Sequence, residues 1–176
     1  MDINCTLIEC KDAKNSSCTL FHFLILDAPS SSNLPTYVKA LQRRQVRHLV
    51  RVCGPTYDAS LVEKSGIEVH SWPFDDGAPP PKSVLDKWFG LLDKEKQLLL
   101  SGVSTQPAAI AIHCVAGLGR APILVALALV ECGGMEPLDA VELVRGKRRG
   151  AINQTQMQWI MRYKRRREGH GGCTVM

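Results

Sequence analysis

The chain has 176 residues, 45% hydrophobic and 22% charged, which suits one folded domain with a real core and excludes a disordered or fibrous chain. Its net charge of +5 is unevenly placed: Arg145 to Met176 holds nine Lys/Arg against one acid, Glu168, and the remainder is mildly acidic. No apolar run approaches the ~18 residues of a membrane span, and the start lacks a signal-peptide core, so secretion is not expected. Seven irregularly spaced cysteines fit a reducing compartment better than a secreted disulfide framework.

In chain order, strands are expected at Ile3–Glu9 and Leu20–Leu26, on either side of a polar turn at Asn15-Ser16-Ser17. Asn33, with Pro35 behind it, opens a helix through Tyr37, Val38 and Leu41. Val46–Val52 and Ile67–Trp72 read as strands, with a short helical stretch after Asp58 between them. A helix follows Pro79-Pro80-Pro81, with Val84, Leu85, Trp88, Leu91 and Leu92 at helical spacing. Ala108–Ile112 is a continuous apolar run of the kind found in a buried central strand. After a glycine-containing turn come an apolar helix at Ala121–Val130 and helices near Leu138–Val144 and Gln154–Tyr163. Strands alternating with helices predict an α/β domain with a central, mainly parallel sheet and a helical C-terminal part. In such sheets chemistry collects at the carboxyl ends of the strands.

That rule directs attention to His113-Cys114-Val115-Ala116-Gly117-Leu118-Gly119-Arg120, between the central strand and the apolar helix. A bare Cys-x5-Arg is common by chance. Its setting is not, because a strand-to-helix loop turns backbone N–H groups inward and the helix N-terminus adds positive potential. Gly117 and Gly119 allow a tight backbone path, and Arg120 can grip two oxygens of a tetrahedral dianion. The same field favours a cysteine thiolate. A phosphate cradle with a nucleophile at its floor outweighs a buried structural cysteine. A dinucleotide fingerprint is disfavoured by Pro122 at the third glycine position, and no Gly-Lys-Ser/Thr exists for a triphosphate loop.

Attack on phosphorus needs an acid for the leaving oxygen. Trp72-Pro73-Phe74-Asp75-Asp76-Gly77-Ala78-Pro79-Pro80 follows another strand and forms a loop able to close over a ligand, and spacing alone does not choose between Asp75 and Asp76. Rhodanese-like domains need no such acid, and low-molecular-weight phosphatases place it after the cysteine.

With these motifs in view, the sequence resembles the small dual-specificity type of protein tyrosine phosphatase, most closely the prenylated type IVA subfamily, the phosphatases of regenerating liver. The matching runs are Val50–Cys53, Thr56–Asp58, Trp72–Pro80, His113–Pro122, Leu124–Glu131, Lys147–Ala151 and the C-terminal Cys. The resemblance implies a dual-specificity phosphatase fold over residues 1–165 and a basic, prenylatable tail at 166–176. It implies Cys114 as nucleophile, Arg120 and the backbone of Val115, Ala116, Gly117, Leu118 and Gly119 as the phosphate site, and Asp76 as general acid. No cofactor and no metal are expected. Ala121 stands where most tyrosine phosphatases carry Ser or Thr, which goes with sluggish turnover. Cys53 corresponds to the partner of a protective disulfide with Cys114, although Gly54 replaces the usual Glu. Cys5, Cys10, Cys18 and His22 contain no Cys-x2-Cys pair, so zinc there is disfavoured.

Cys173-Thr174-Val175-Met176 fits a Cys-a-a-X signal for farnesylation, and Arg162, Lys164, Arg165, Arg166 and Arg167 supply the second anchoring signal. The expected location is thus the cytoplasmic face of the plasma or endosomal membranes, with a soluble cytoplasmic pool, and the basic tail meets anionic lipid rather than nucleic acid. The expected substrate is a phosphorylated protein or a phosphoinositide. The resemblance also offers a binding role through the same pocket, toward cystathionine-synthase-pair (CBS-pair) magnesium transporters, and homo-oligomers in some settings.

Overall fold

A computed structural model of the chain describes residues 3–166. The elements run β1 (Cys5–Lys11), β2 (Thr19–Leu26), α1 (Leu34–Arg43), β3 (Val46–Arg51), α2 (Ser60–Lys64), β4 (Glu68–Ser71), α3 (Lys82–Leu100), β5 (Ala108–His113), α4 (Arg120–Glu131), α5 (Pro137–Lys147) and α6 (Gln154–Met161). Each expected element is present. The strands form one sheet in the order β1-β2-β5-β3-β4, antiparallel between β1 and β2 and parallel elsewhere.

The apolar run at Ala108–Ile112 is the middle strand, and all six residues of β5 are buried. Side chains alternate across a strand, so each strand feeds two cores. Phe21, Phe23, Ile25, Ile110 and Ile112 join the core under α3–α6, whereas Leu24, Leu26, Ala109 and Ala111 join the one under α1 and α2. Helix α4 is buried from Arg120 to Val130, which explains its lack of a polar stripe. Trp88 of α3 donates its indole N–H to Leu124 O at 2.9 Å and so locks α3 onto α4.

Most ends shift by one to three residues from the sequence expectation, and two helix starts have a definite physical reason. Asn33 does precede α1, but its side chain accepts from Ser30 N at 2.7 Å and not from the helix. Helix α4 begins at Arg120, one residue earlier than expected, which puts Pro122 within the first turn, where its missing N–H has no intrahelical partner to lose.

Because β3, β4 and β5 are parallel, their carboxyl ends lie on one edge of the sheet. Cys53, the 72–81 loop and the Cys114 loop therefore leave from the same side.

Candidate active site

Cys114 follows β5 directly and is 3% exposed, at the root of the 115–119 loop. The carbonyls of that loop are all turned outward and held. Cys114 O faces His113 Nδ1 at 3.2 Å, and Val115 O accepts from Ala28 N at 2.8 Å. Arg148 donates to Ala116 O at 3.2 Å and to Gly117 O at 2.6 Å. Ile152 N donates to Leu118 O at 2.7 Å. In a planar trans peptide the N–H points opposite to the carbonyl before it. Five outward carbonyls therefore aim the N–H groups of Val115 to Gly119 to the other side, into one concave cradle. Such a nest suits a tetrahedral anion and stabilises a thiolate beside it.

Gly117 is required for this path. Its φ is +67°, and an added Cβ would lie 2.4 Å from Leu26 O and 2.5 Å from an Arg148 nitrogen.

Arg120 starts α4 and lies largely buried beneath the loop. One Nη donates to Phe74 O at 3.1 Å, and Nε is buried without a hydrogen-bond partner. A buried guanidinium donor left open beside the cradle is placed for a ligand oxygen. The nearest acid is Asp76, whose Oδ1 is 3.5 Å from that Nε and whose side chain is 82% exposed. Asp75 is also exposed, but its carbonyl closes a turn to Ala78 N at 3.2 Å. Of the two aspartates, only Asp76 is paired with Arg120 among the described residues.

The 72–81 loop is fastened from the opposite wall. Asn153 and Gln156 form a capping box at the start of α6. Their remaining amide groups reach across, Asn153 Nδ2 to Gly77 O at 3.0 Å and Gln156 Nε2 to Ala78 O at 3.1 Å. One helix cap thus also sets the height of the acid loop above the cradle.

Behind Cys114 lies a buried polar chain. Tyr57 OH is 2.6 Å from His113 Nε2. Burial lowers the His113 pKa to about 4 and raises that of Tyr57, so the hydroxyl donates to a neutral ring. His113 Nδ1–H then faces Cys114 O, with Cys53 Sγ 3.8 Å from the same nitrogen. Cys53 and Cys114 are both unbridged thiols. Arg51 pairs with His113 across β3 and β5, which puts Cys53, two residues on, beside the Cys114 loop. Burial raises the Cys53 pKa, with Arg120 opposing.

The expected residues Cys53, Asp76, Cys114 to Gly119 and Arg120 are thus brought together. The expected lipidation residue Cys173 lies outside the described residues, as does Arg167. Arg165 and Arg166, counted in sequence toward the anchoring charge, are tied to the domain instead. Arg166 makes a two-pronged pair with Asp93 at 3.0 and 3.1 Å, bonds Glu131, and lies 4.3 Å from the Phe89 ring centre. Arg165 donates to the carbonyls of Gly134 and Met135 at 2.7 and 2.8 Å.

Four residues have roles at the site that the sequence reading did not assign. Arg148 grips the loop from 31 residues away, Asn153 and Gln156 hold the acid loop, and Ile152 sits at φ +62°. A β-branched residue there costs on the order of 1–3 kcal/mol. It is held by its N–H to Leu118 and by Arg145, which donates to its carbonyl at 2.6 Å.

Known proteins resemble this chain over most of its length. The family profile described as protein-tyrosine phosphatase matches residues 36–165. A Leishmania major protein named protein tyrosine phosphatase PRL-1 is 65% identical over the full length of both chains. The mouse protein tyrosine phosphatase type IVA 2 is 46% identical over 87% of this chain and 90% of its own. Among solved structures, a protein tyrosine phosphatase from Leishmania major superposes with a TM-score of 0.87 at 67% identity, covering 93% of this chain and all of that one. A kinase-associated phosphatase shares the fold at 16% identity, with a TM-score of 0.68 over 91% and 93% of the two chains.

Proposed function

The chain belongs to the protein-tyrosine phosphatase family, in its type IVA group, and from that premise we propose a mechanism and a setting for its cysteine-dependent phosphatase activity. The Cys114 thiolate attacks the phosphorus of a phosphomonoester in line with the leaving oxygen. The N–H groups of residues 115–119 and the Arg120 guanidinium hold the three equatorial oxygens, where charge is spread in the transition state. Asp76, in its acid form, protonates the leaving oxygen. The resulting carboxylate then takes a proton from the water that cleaves the phosphocysteine, which returns the thiolate and releases inorganic phosphate.

The observation that carries this reading is the set of outward carbonyls at 114–118, which leaves five N–H groups turned into one cradle, with buried Cys114 at its root and the Arg120–Asp76 pair at its end. Ala121, buried behind the loop, offers no hydroxyl to the leaving thiolate, so breakdown of the phosphocysteine is the slow step. Slow turnover also favours a second use of the pocket, as a docking site for a CBS-pair magnesium transporter.

The substrates are phosphorylated proteins or phosphoinositides, met at the cytoplasmic face of membranes. Farnesylated Cys173 supplies the apolar anchor, and Arg162, Lys164 and Arg167 supply charge. Arg165 and Arg166 contribute less, since they serve the fold.

The test is hydrolysis of an aryl phosphate by the purified chain and by Cys114→Ser, an alcohol too weakly acidic to attack. Activity is expected only in the parent, with phosphate trapped on Cys114 after rapid acid quench. Retained turnover in the folded variant removes the mechanism. For the setting, vesicles of neutral and anionic lipid should retain the farnesylated chain in a salt-sensitive way, and the unmodified chain poorly.

A further inference from the structure

Beyond the catalytic edge, β3 and β4 form the border of the sheet farthest from β1. Their parallel register pairs His48 with Glu68 and Val50 with His70. With a side-chain period of two, His48, Glu68 and His70 therefore project from one face. Among the described residues they form the one group of three or more metal-ligating side chains whose donor atoms converge. We propose that His48 Nδ1, His70 Nε2 and a Glu68 carboxylate oxygen bind one divalent transition-metal ion, with Zn2+ the best chemical match.

The spacing supports this directly. His48 Nδ1 lies 3.1 Å from His70 Nε2, and Glu68 oxygens lie 3.6 Å from each of those nitrogens. A tetrahedral zinc with bonds of 2.0–2.1 Å holds its ligand atoms about 3.3 Å apart. The two nitrogens already stand near that spacing, each faces a different oxygen of the Glu68 carboxylate, and one donor atom from each residue falls within 4.8 Å of the others, so a small turn of the exposed Glu68 side chain completes three corners of the tetrahedron. Two imidazoles and a carboxylate are also a donor set that suits zinc, with a fourth position left open.

The surroundings are those of a metal histidine. Glu95, buried on α3, lies 2.8 Å from His48 Nε2 and is bonded in turn by Arg47. A carboxylate there fixes the proton on Nε2 and turns the Nδ1 lone pair toward the other two donors. The His48 side chain is only 3% exposed and that of His70 17%, so both rings are held in place, while Glu68 at 60% gives an ion a way in.

An ion here would clip β4 to β3 just before the acid loop begins. The His70 ring lies 5.1 Å from that of Trp72, the first residue of that loop, and Trp72 N donates to Arg51 O at 2.8 Å. The cysteine-rich N-terminal region does not compete. Cys10 is buried with its Sγ 3.8 Å from Ala128 O, and burial raises its pKa.

The test uses the full chain carrying Cys114→Ser, which removes the reactive thiolate as a rival ligand, stripped of metal and titrated with Co2+ and then Zn2+. One Co2+ per chain is expected, with tetrahedral d–d absorption, no thiolate charge-transfer band, and displacement by Zn2+. Glu68→Gln, at the accessible side of the cluster, and His70→Ala should each weaken Zn2+ binding roughly tenfold or more. Metal-free melting of Glu68→Gln, an exposed position, should match the parent, and Zn2+ should raise the melting temperature of the parent alone. Absence of saturable one-to-one binding would mean a hydrogen-bonded trio only and overturns the proposal. So does a thiolate band, or affinity unchanged in both variants.

Discussion

Arg148→Met tests whether the loop's N–H groups are aimed by a residue that never touches substrate. The substitution keeps an aliphatic stem of similar length and removes every donor. Arg148 makes four bonds, to Gly117 O at 2.6 Å, Ala116 O at 3.2 Å, Thr6 Oγ1 at 3.1 Å and Ile25 O at 3.3 Å. Each acceptor left without a partner in a buried setting costs about 1–3 kcal/mol. The buried Gly117 carbonyl alone therefore places the loss of stability at about 1–3 kcal/mol, and Ala116, an exposed residue whose carbonyl water can reach, adds less. Released, the 116–117 and 117–118 peptides can rotate, and the cradle loses the fixed direction of two donors. Removal of one preorganised donor of this kind costs about 10²–10³ in rate. A fall in kcat/KM of at least roughly 10² is expected for an aryl phosphate, with vanadate inhibition weakened in parallel. Arg148→Lys, which keeps the charge but not the fork, should fall between the two. Urea melts establish the temperature at which all three proteins are folded, and kinetics are measured there. If kcat/KM and the vanadate inhibition constant stay within threefold of the parent while stability drops, Arg148 only supports the fold and the reasoning fails.

Asp76→Asn should slow hydrolysis most for esters with poor leaving groups, whereas Asp75→Asn should leave the leaving-group dependence as it is; the reverse pattern transfers the acid role to Asp75. His113, held near pKa 4 against an ordinary 6.5, takes up its proton first in the unfolded chain, so its contribution is complete above pH 6.5 and is lost as pH falls toward 4. That amounts to about 3 kcal/mol, and urea melts at pH 7.5 and 4.5 should show a smaller pH dependence in His113→Gln than in the parent; equal dependence would count against a buried neutral ring. Ala121→Ser should raise steady-state turnover severalfold and shrink a pre-steady-state burst, and an unchanged rate with no burst in either protein would argue that phosphocysteine breakdown is not limiting. Mild peroxide should join Cys53 to Cys114 and abolish activity reversibly, while Cys53→Ser should be inactivated irreversibly; peptide maps with Cys114 overoxidised and Cys53 free in the parent would refute the pairing.

Local chemistry decided much of this protein before any folding was considered. The apolar run at Ala108–Ile112, the Cys-x5-Arg loop after it and the unrelieved hydrophobicity of Ala121–Val130 are statements about neighbours in sequence. Each is read correctly because burial, backbone freedom at Gly117 and charge at Arg120 act within a few residues. Asp76 and Asp75 are different, since adjacent carboxylates share one local environment and only the position of Arg120 Nε separates them. The same holds for Arg148, which in sequence is one more basic residue of a basic segment and in the fold is the clamp on Ala116 and Gly117. Asn153 and Gln156 are legible as a helix cap, but their second amide groups find Gly77 and Ala78 only because α6 docks against the acid loop. Arg166 likewise leaves the tail for Asp93, Glu131 and Phe89, partners 35 or more residues away. His48, Glu68 and His70 converge solely through the β3–β4 register. Propensity, periodicity and motif spacing are short-range properties, whereas the direction of a peptide plane or the pairing of a distant charge is set by long-range packing. Cys114 and its loop belong to the first kind, and what aims them belongs to the second.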